Sequence, residues 1–554
     1  MPKSSSSFYT SNVSLDTAKN LVKGSLKALS LGGSTEHRMH RECETPILAA
    51  ASQAKVQGWT PLLVVIGMVS ILGSSVPVGY NIGVMNTPAH IIREFCNATV
   101  FETYGINMSP AGMNVLWSSI VSIFILGGII GSLCGGWVAD LVGRRGAVMV
   151  NHALALMAAI LFGSSRSAGS VEMLLLARLI VGLSSGLVTT TVPMYLTEIA
   201  PISIRGAMGV LTPLGLTVGV LLGQIMGLRP VLGREDTWHL LLSLYAIPVL
   251  LASIAIPLLP ESPKYLYAIR GEIERAVDEL CRLRKVSIPD ELGTELEELS
   301  QSSAASAGTS WSVTRVLKTS QLYLPLCLVC AMQAGQQFSG INAVFYYSVT
   351  IFQNAGFSEE GGQYATIGAG CVNLLVTILA ISLVTRFGRR ALILLSCWLA
   401  AGCLILLMIT IIFIDAVSWM PYLCIFAVLG YVFTYGFGLG PIPYFIGSEL
   451  FDVGPRPVAM AFGSMSNWAV NFIVGMTFPS LQTHIGAYSF LIFALITICL
   501  AEFLRLYIPE TQGRTAAEVA DALEGGFKRR KGVILVAPPN NDSEVGGELT
   551  RVAV

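Results

Sequence analysis

Gln333-Ala-Gly-Gln-Gln-Phe-Ser-Gly-Ile-Asn-Ala-Val-Phe-Tyr-Tyr-Ser348 decides how this chain folds. The stretch lies in an apolar run suited to a bilayer, yet it carries Gln333, Gln336, Gln337 and Asn342 and no charge. A buried amide at membrane depth is costly unless it finds a partner. One such amide reads as a bond between neighbouring helices. Four of them, with Gly335 and Gly340 between, read as the wall of a polar ligand site. On a straight helix Gln337 and Asn342 point about 140° apart. A break at Gly340 would turn both toward one cavity, and broken helices at the midplane build sites of this kind. Donors and acceptors without charge suit a neutral polyhydroxyl ligand.

The rest of the chain supports a membrane setting. Of 554 residues 53% are hydrophobic and 12% charged, with mean hydropathy +0.66, where a soluble protein carries about a quarter charged residues. Lys plus Arg equals Asp plus Glu at 34 each, so nothing points to nucleic acid. The eleven cysteines fall mostly in apolar spans and read as small buried hydrophobes; Cys327-x-x-Cys330 has no second ligand pair to make a metal or redox site. No phosphate-binding GxxxxGK[ST] loop, nucleophile cluster or metal cluster suggests catalysis or a cofactor.

Twelve spans of bilayer length fit the hydropathy, near 61–83, 112–137, 147–165, 171–195, 206–228 and 238–259, then 322–350, 362–385, 391–414, 420–446, 457–482 and 486–508. Between the two sets hydropathy collapses, and Ile273, Val277, Leu280 and Leu283 recur at amphipathic helical spacing. The expected organisation is an all-α membrane protein: an N-terminal tail (1–58), a six-helix half (59–260), a helical linker (261–320), a second six-helix half (321–508) and a C-terminal tail (509–554). Basic bias in both tails and the paired arginines of the short loops place tails and linker in the cytoplasm.

The halves repeat. Gly143-Arg144-Arg145 returns as Gly388-Arg389-Arg390; Glu198 with Arg205 returns as Glu449 with Arg456; Pro260-Glu261-Ser262 returns as Pro509-Glu510-Thr511. The offsets are all about 250 residues, which implies two parallel halves. These charges could serve topology alone. Their recurrence in order points further, to pairs between the halves that close the cytoplasmic face and break whenever it opens.

Polar residues also mark particular spans. Asn81 is in span 1, which holds no carboxylate. Gln224 lies beside a stripe of Gly215, Gly219, Gly223 and Gly227 suited to close helix packing. Asn373 is in span 8. Span 10 carries Gly436, Gly438, Gly440, Pro441 and Pro443, a composition that bends or unwinds a helix and reads as a hinge. Asn467 and Asn471 share a face in span 11, with Trp468 beside them. Amides for hydroxyls and an aromatic wall for the C–H face of a ring are the parts of a sugar site.

These motifs resemble the facilitative hexose transporters of the sugar porter branch of the major facilitator superfamily, over about residues 60–515. The resemblance implies facilitative uniport of D-glucose, with related hexoses, by alternating access at the plasma membrane. It implies sugar contacts from Gln224, Gln336, Gln337, Asn342, Asn373, Tyr444, Asn467, Trp468 and Asn471, and a cytoplasmic gate from Arg144, Arg145, Glu198, Arg205, Glu261, Arg389, Arg390, Glu449, Arg456 and Glu510. Asn97, in the sequon Asn97-Ala-Thr99 of the first outer loop, is where members carry a glycan. Proton-coupled members commonly have Asp where this chain has Asn81, which favours uniport over proton symport. Departures are Thr385 for an acid, Tyr435 for Phe, Gly436 for an acid and Tyr444 for Trp, so a fructose preference stays open. A non-transporting sugar sensor is the reading from another class.

Overall fold

The computed structural model describes residues 58–528, apart from 86–87, 229, 287–291, 307–310, 345–358, 415 and 524–525. Both predicted tails, and Phe345–Ser348 of the opening stretch, lie outside the described residues apart from Gly58 and the segment 509–523 with Gly526–Lys528. Every regular element described is helical. In chain order the principal helices are α1 (Pro61–Gly83), α2 (Ala89–Tyr104), α3 (Pro110–Ser165), α4 (Val171–Ile199), α5 (Arg205–Met226) and α6 (Trp238–Leu258). The linker follows with α7 (Ile273–Arg284), α8 (Gly293–Ser306) and α9 (Val313–Lys318). The second half holds α10 (Tyr323–Phe338), α11 (Glu359–Arg386), α12 (Arg389–Ile412), α13 (Met420–Phe437), α14 (Ile442–Leu450), α15 (Arg456–Ile485) and α16 (Ser489–Tyr507), and α17 (Ala516–Leu523) lies beyond it.

Ten helices among the described residues are long and apolar enough to cross a membrane. They carry eleven spans, and the shorter α10 supplies the twelfth. The 56-residue α3 holds two spans, turned back at Gly143, whose φ of 84° is open to glycine and breaks the helical path. The span-7 helix α10 has only 16 residues before Gly340, whose φ of 82° ends its regular path. The twelve-helix arrangement expected from hydropathy therefore stands, with spans 2 and 3 joined more tightly than a loop would join them.

Small residues set the packing within the first half. A Cβ at Gly79 of α1 or at Gly219 of α5 would collide with the other helix's backbone, and Gly223 faces the Tyr80 carbonyl. The glycine stripe of α5 thus faces α1, which is the close approach that drives helix association in lipid. Each half has its own apolar core, one built on α1 and α3–α6 and the other on α10–α16. Trp468 is an exception: it belongs to α15 yet packs in the first half's core. Its ring meets Phe124 edge-on with centroids 5.4 Å apart, and Gly128 leaves room for it.

Candidate functional site

Span 10 is broken, and the break explains half of the opening stretch. Helix α13 stops at Phe437 and α14 begins at Ile442. In a continuous helix residue 443 would donate to the Leu439 carbonyl, but Pro443 has no N–H. Gln336 supplies the missing donor: its Nε2 lies 3.2 Å from the Leu439 oxygen and 2.6 Å from that of Gly440. Gln333 Nε2 donates to the Pro443 carbonyl at 3.0 Å, in the first turn of α14. Ser396 accepts from the Leu439 amide at 2.9 Å and donates to Thr434 O at 2.7 Å. A break at membrane depth persists only where such groups take up the freed backbone.

Gln337 and Asn342 do something different. They line a cavity, open at its mouth, between the two halves. Asn342 Nδ2 donates to Gln337 Oε1 at 2.9 Å and to Asn471 Oδ1 at 2.8 Å, and Gln337 Nε2 donates to Asn467 Oδ1 at 3.1 Å. The turn at Gly340 brings these two side chains together, although a straight helix would part them. Gln224, Asn373, Tyr444, Asn467, Trp468 and Asn471 line the same cavity. Gln336, expected at the ligand, is fully buried and outside the lining, because the break in span 10 and Asn467 take its whole amide.

Gln224 faces the cavity from the first half, with no partner for its oxygen among the described residues. Trp468 Nε1 donates to Thr189 Oγ1 across the halves at 3.1 Å, and Thr189 also bonds Ser464 Oγ at 2.6 Å. Sequence reasoning missed Thr189 and Ser464: a threonine or serine in a span carries no signal of its own. Among the lining residues are no Asp, Glu, His, Lys or Arg.

The second constellation lies at the end of the bundle that holds the linker. Arg144 Nε and Nη2 meet Glu198 at 3.0 and 3.3 Å, and its Nη1 meets Asp140 at 3.2 Å. Glu261 accepts from the backbone amides of Arg144 and Arg145 at 2.8 and 3.2 Å, where α3 resumes after Gly143. Burial pushes its carboxyl up in pKa while those amides and that of Ser262 pull it down. The second half repeats the plan: Arg389 meets Glu449 at 3.1 Å, and Glu510 accepts from the amides of Arg389 and Arg390. Arg456 Nη1 crosses between halves to Glu198 at 3.2 Å.

Two expectations for this network are corrected. Arg145 and Arg390 meet these carboxylates through backbone amides, not as ion pairs among the described residues, since neighbours on a helix point about 100° apart. Arg205 does not cross to the second half. Its Nη2 bonds Glu298 of linker helix α8 at 3.1 Å, a carboxylate shared with Lys264. Burial, with Arg205 beside it, brings Lys264 down to about 8, while Lys264 and Arg205 outweigh burial and hold Glu298 at about 2. Asn97 is exposed on α2, at the opposite end.

Comparison with known proteins agrees with this geometry. Residues 66–523 match the family model "Sugar (and other) transporter". The facilitated glucose transporter member 3 of solute carrier family 2 from Ovis aries is 41% identical over 481 residues, 86% of this chain and 96% of its own. Member 5 from Equus caballus is 39% identical over 464 residues, covering 83% and 91%. Among solved structures, the proton:xylose symporter XylE bound to 6-bromo-6-deoxy-D-glucose aligns with TM-score 0.73 at 26% identity, covering 83% of this chain and 98% of that one. The inward open conformation of XylE from E. coli aligns at 0.60 and 25% identity, covering 83% and 99%. By the extent of these matches the chain belongs to the sugar transporter family, multi-pass membrane carriers of the major facilitator fold and not enzymes.

Proposed function

We propose that this protein carries D-glucose, with related hexoses, down its gradient across the plasma membrane by alternating access, with linker and both termini in the cytoplasm. The observation that supports this most is the cavity: amides and hydroxyls line it, an indole forms part of its wall, and no charged side chain faces it. A sugar entering it exchanges bonds to water for bonds to Gln224, Gln337, Asn342, Asn373, Asn467 and Asn471. The net gain of each exchange is about 0.5–1.5 kcal/mol, which gives binding weak enough for release.

The linker end is closed by the Arg456–Glu198 pair, and Trp468–Thr189 ties the halves beside the cavity. Opening toward the cytoplasm breaks these bonds and shifts α14 about the break between Gly436 and Pro443. Proton coupling needs an ionisable group at depth. The buried carboxylates Glu198, Glu261 and Glu449 all lie at the linker end, and span 1 offers Asn81, fully buried.

The test is radiolabelled D-glucose uptake by purified protein in liposomes, with D-fructose and L-glucose as competitors. Saturable uptake blocked by D-glucose and indifferent to L-glucose is expected. Binding without uptake would favour the sensor, and inhibition by D-fructose alone would move the substrate.

A further inference from the structure

Six tyrosines have buried rings among the described residues: Tyr80, Tyr195, Tyr245, Tyr265, Tyr431 and Tyr435. Five of them donate their hydroxyls to backbone carbonyls, those of Leu241, Pro260, Ala155, Asp140 and Ser339, at 2.7–3.1 Å. Tyr435 is the sixth, and its hydroxyl has no partner among the described residues. It is also the only one of the six that lines the central cavity. A phenol closed off from water normally finds an acceptor or donor, as the other five do. The Tyr435 hydroxyl is left open to the cavity, so its partner is whatever fills that space.

The surroundings hold this ring in place. The Tyr435 carbonyl accepts from the Gly440 amide at 2.8 Å, and a Cβ at Gly440 would stand 3.1 Å from the ring's Cε1. The ring also lies against that of Tyr431, centroids 6.3 Å apart. Next along the chain, Gly436 presents no side chain; a Cβ there would stand 3.3 Å from Asn373 Oδ1. The phenol therefore sits on the break in span 10, one residue from the patch that the Asn373 amide overlies. A phenol hydroxyl both donates and accepts, as does each hydroxyl of a sugar.

We propose that Tyr435 is a specificity-determining residue whose phenol hydroxyl hydrogen-bonds one hydroxyl of the transported hexose. The proposal rests on the reading of this cavity as a hexose site. Because the ring is packed on the Gly440 turn, the bond is made or lost as the broken helix moves.

The test is Tyr435→Phe, which keeps the ring and deletes the oxygen, in liposome uptake of D-glucose with the 1-, 2-, 3-, 4- and 6-deoxyglucoses as competitors. KM for D-glucose should rise roughly tenfold, the fold-change of about one hydrogen bond. The deoxyglucose that lacks the partner hydroxyl should compete equally well against both proteins, while the other four lose potency against the variant. A merely structural role would not single out one analogue. Tyr431→Phe, which removes the bond to the Ser339 carbonyl, should lower thermal stability and leave the analogue pattern unchanged. Should the phenylalanine variant not reach the membrane, Tyr435→Met is expected to give the same pattern. An unchanged KM and an unchanged analogue order overturn this proposal alone, whereas absence of D-glucose uptake by the unaltered protein overturns the hexose reading with it.

Discussion

The two halves carry the same charge motif, and they use it unequally. In the first half Arg144 grips Glu198 with two nitrogens and has Asp140 as a second acid; Glu198 also takes Ser262 and, from the other half, Arg456. In the second half Arg389 reaches Glu449 through one nitrogen, its Nε has no partner among the described residues, and Thr385 stands where Asp140 would be. Thr385 uses its hydroxyl on the Ser382 carbonyl. What the repeat kept is the frame: a carboxylate on the amides that restart a helix, and a hydroxyl on the buried acid, from Ser262 in one half and Thr511 in the other. What it did not keep is the crossing. Arg456 goes to the partner half and Arg205 to the linker. Glu198 is thus the hub of the contacts at the linker end, and the second half is the looser side.

The comparison breaks most readily at the hub. Glu198→Gln leaves Arg144 and Arg456 buried without their common acid and should cost about 5 kcal/mol, the upper end for a broken buried pair. Glu449→Gln should cost about 3 kcal/mol, the lower end. Thermal unfolding in detergent and initial uptake rates measure both; equal effects would end the claim of asymmetry. Thr385→Glu offers Arg389 the acid it lacks. It should stabilise the closed linker end by about 0.5–1 kcal/mol, as for a half-exposed pair, and slow uptake several-fold. A neutral result would mean that Asp140 contributes nothing in the first half either.

The smallest effect is one of pH at the linker. Glu298 titrates at about 2 when docked, against an ordinary 4.5. The undocked helix therefore binds more protons between these values, so docking strengthens as pH rises through that window and is level from there to about pH 7, below the titration of Lys264 at about 8. The protection factors of the α8 amides, exchange rates divided out by their intrinsic pH dependence, should be constant from pH 5 to about 7 and fall as pH drops below about 4.5. Protection that already falls between pH 7 and 5 would contradict the Arg205–Glu298–Lys264 cluster.

Much of this was legible in the residues. The spans follow from hydropathy, and the repeated arginines and glutamates marked both halves before any contact was known. The four amides of the opening stretch were legible as a group but not as individuals. Gln333 and Gln336 bond helices together, and Gln337 and Asn342 face the cavity; residue type is the same on both sides of that division. The deciding fact is the carbonyl freed by Pro443, about a hundred residues away in sequence. Arg205 departs from the repeat for a related reason: the repeat predicts a partner in the other half, and Glu298 lies in a linker that repeats nothing.

On the proposed function, an uncharged cavity carries a hexose downhill without a coupled proton. The most direct test is D-glucose uptake into proteoliposomes held at equal pH and then with an inward proton gradient. Uptake that saturates, ends at equal concentrations on both sides and ignores the gradient is the predicted result. Accumulation above the outside concentration when protons flow inward would contradict it.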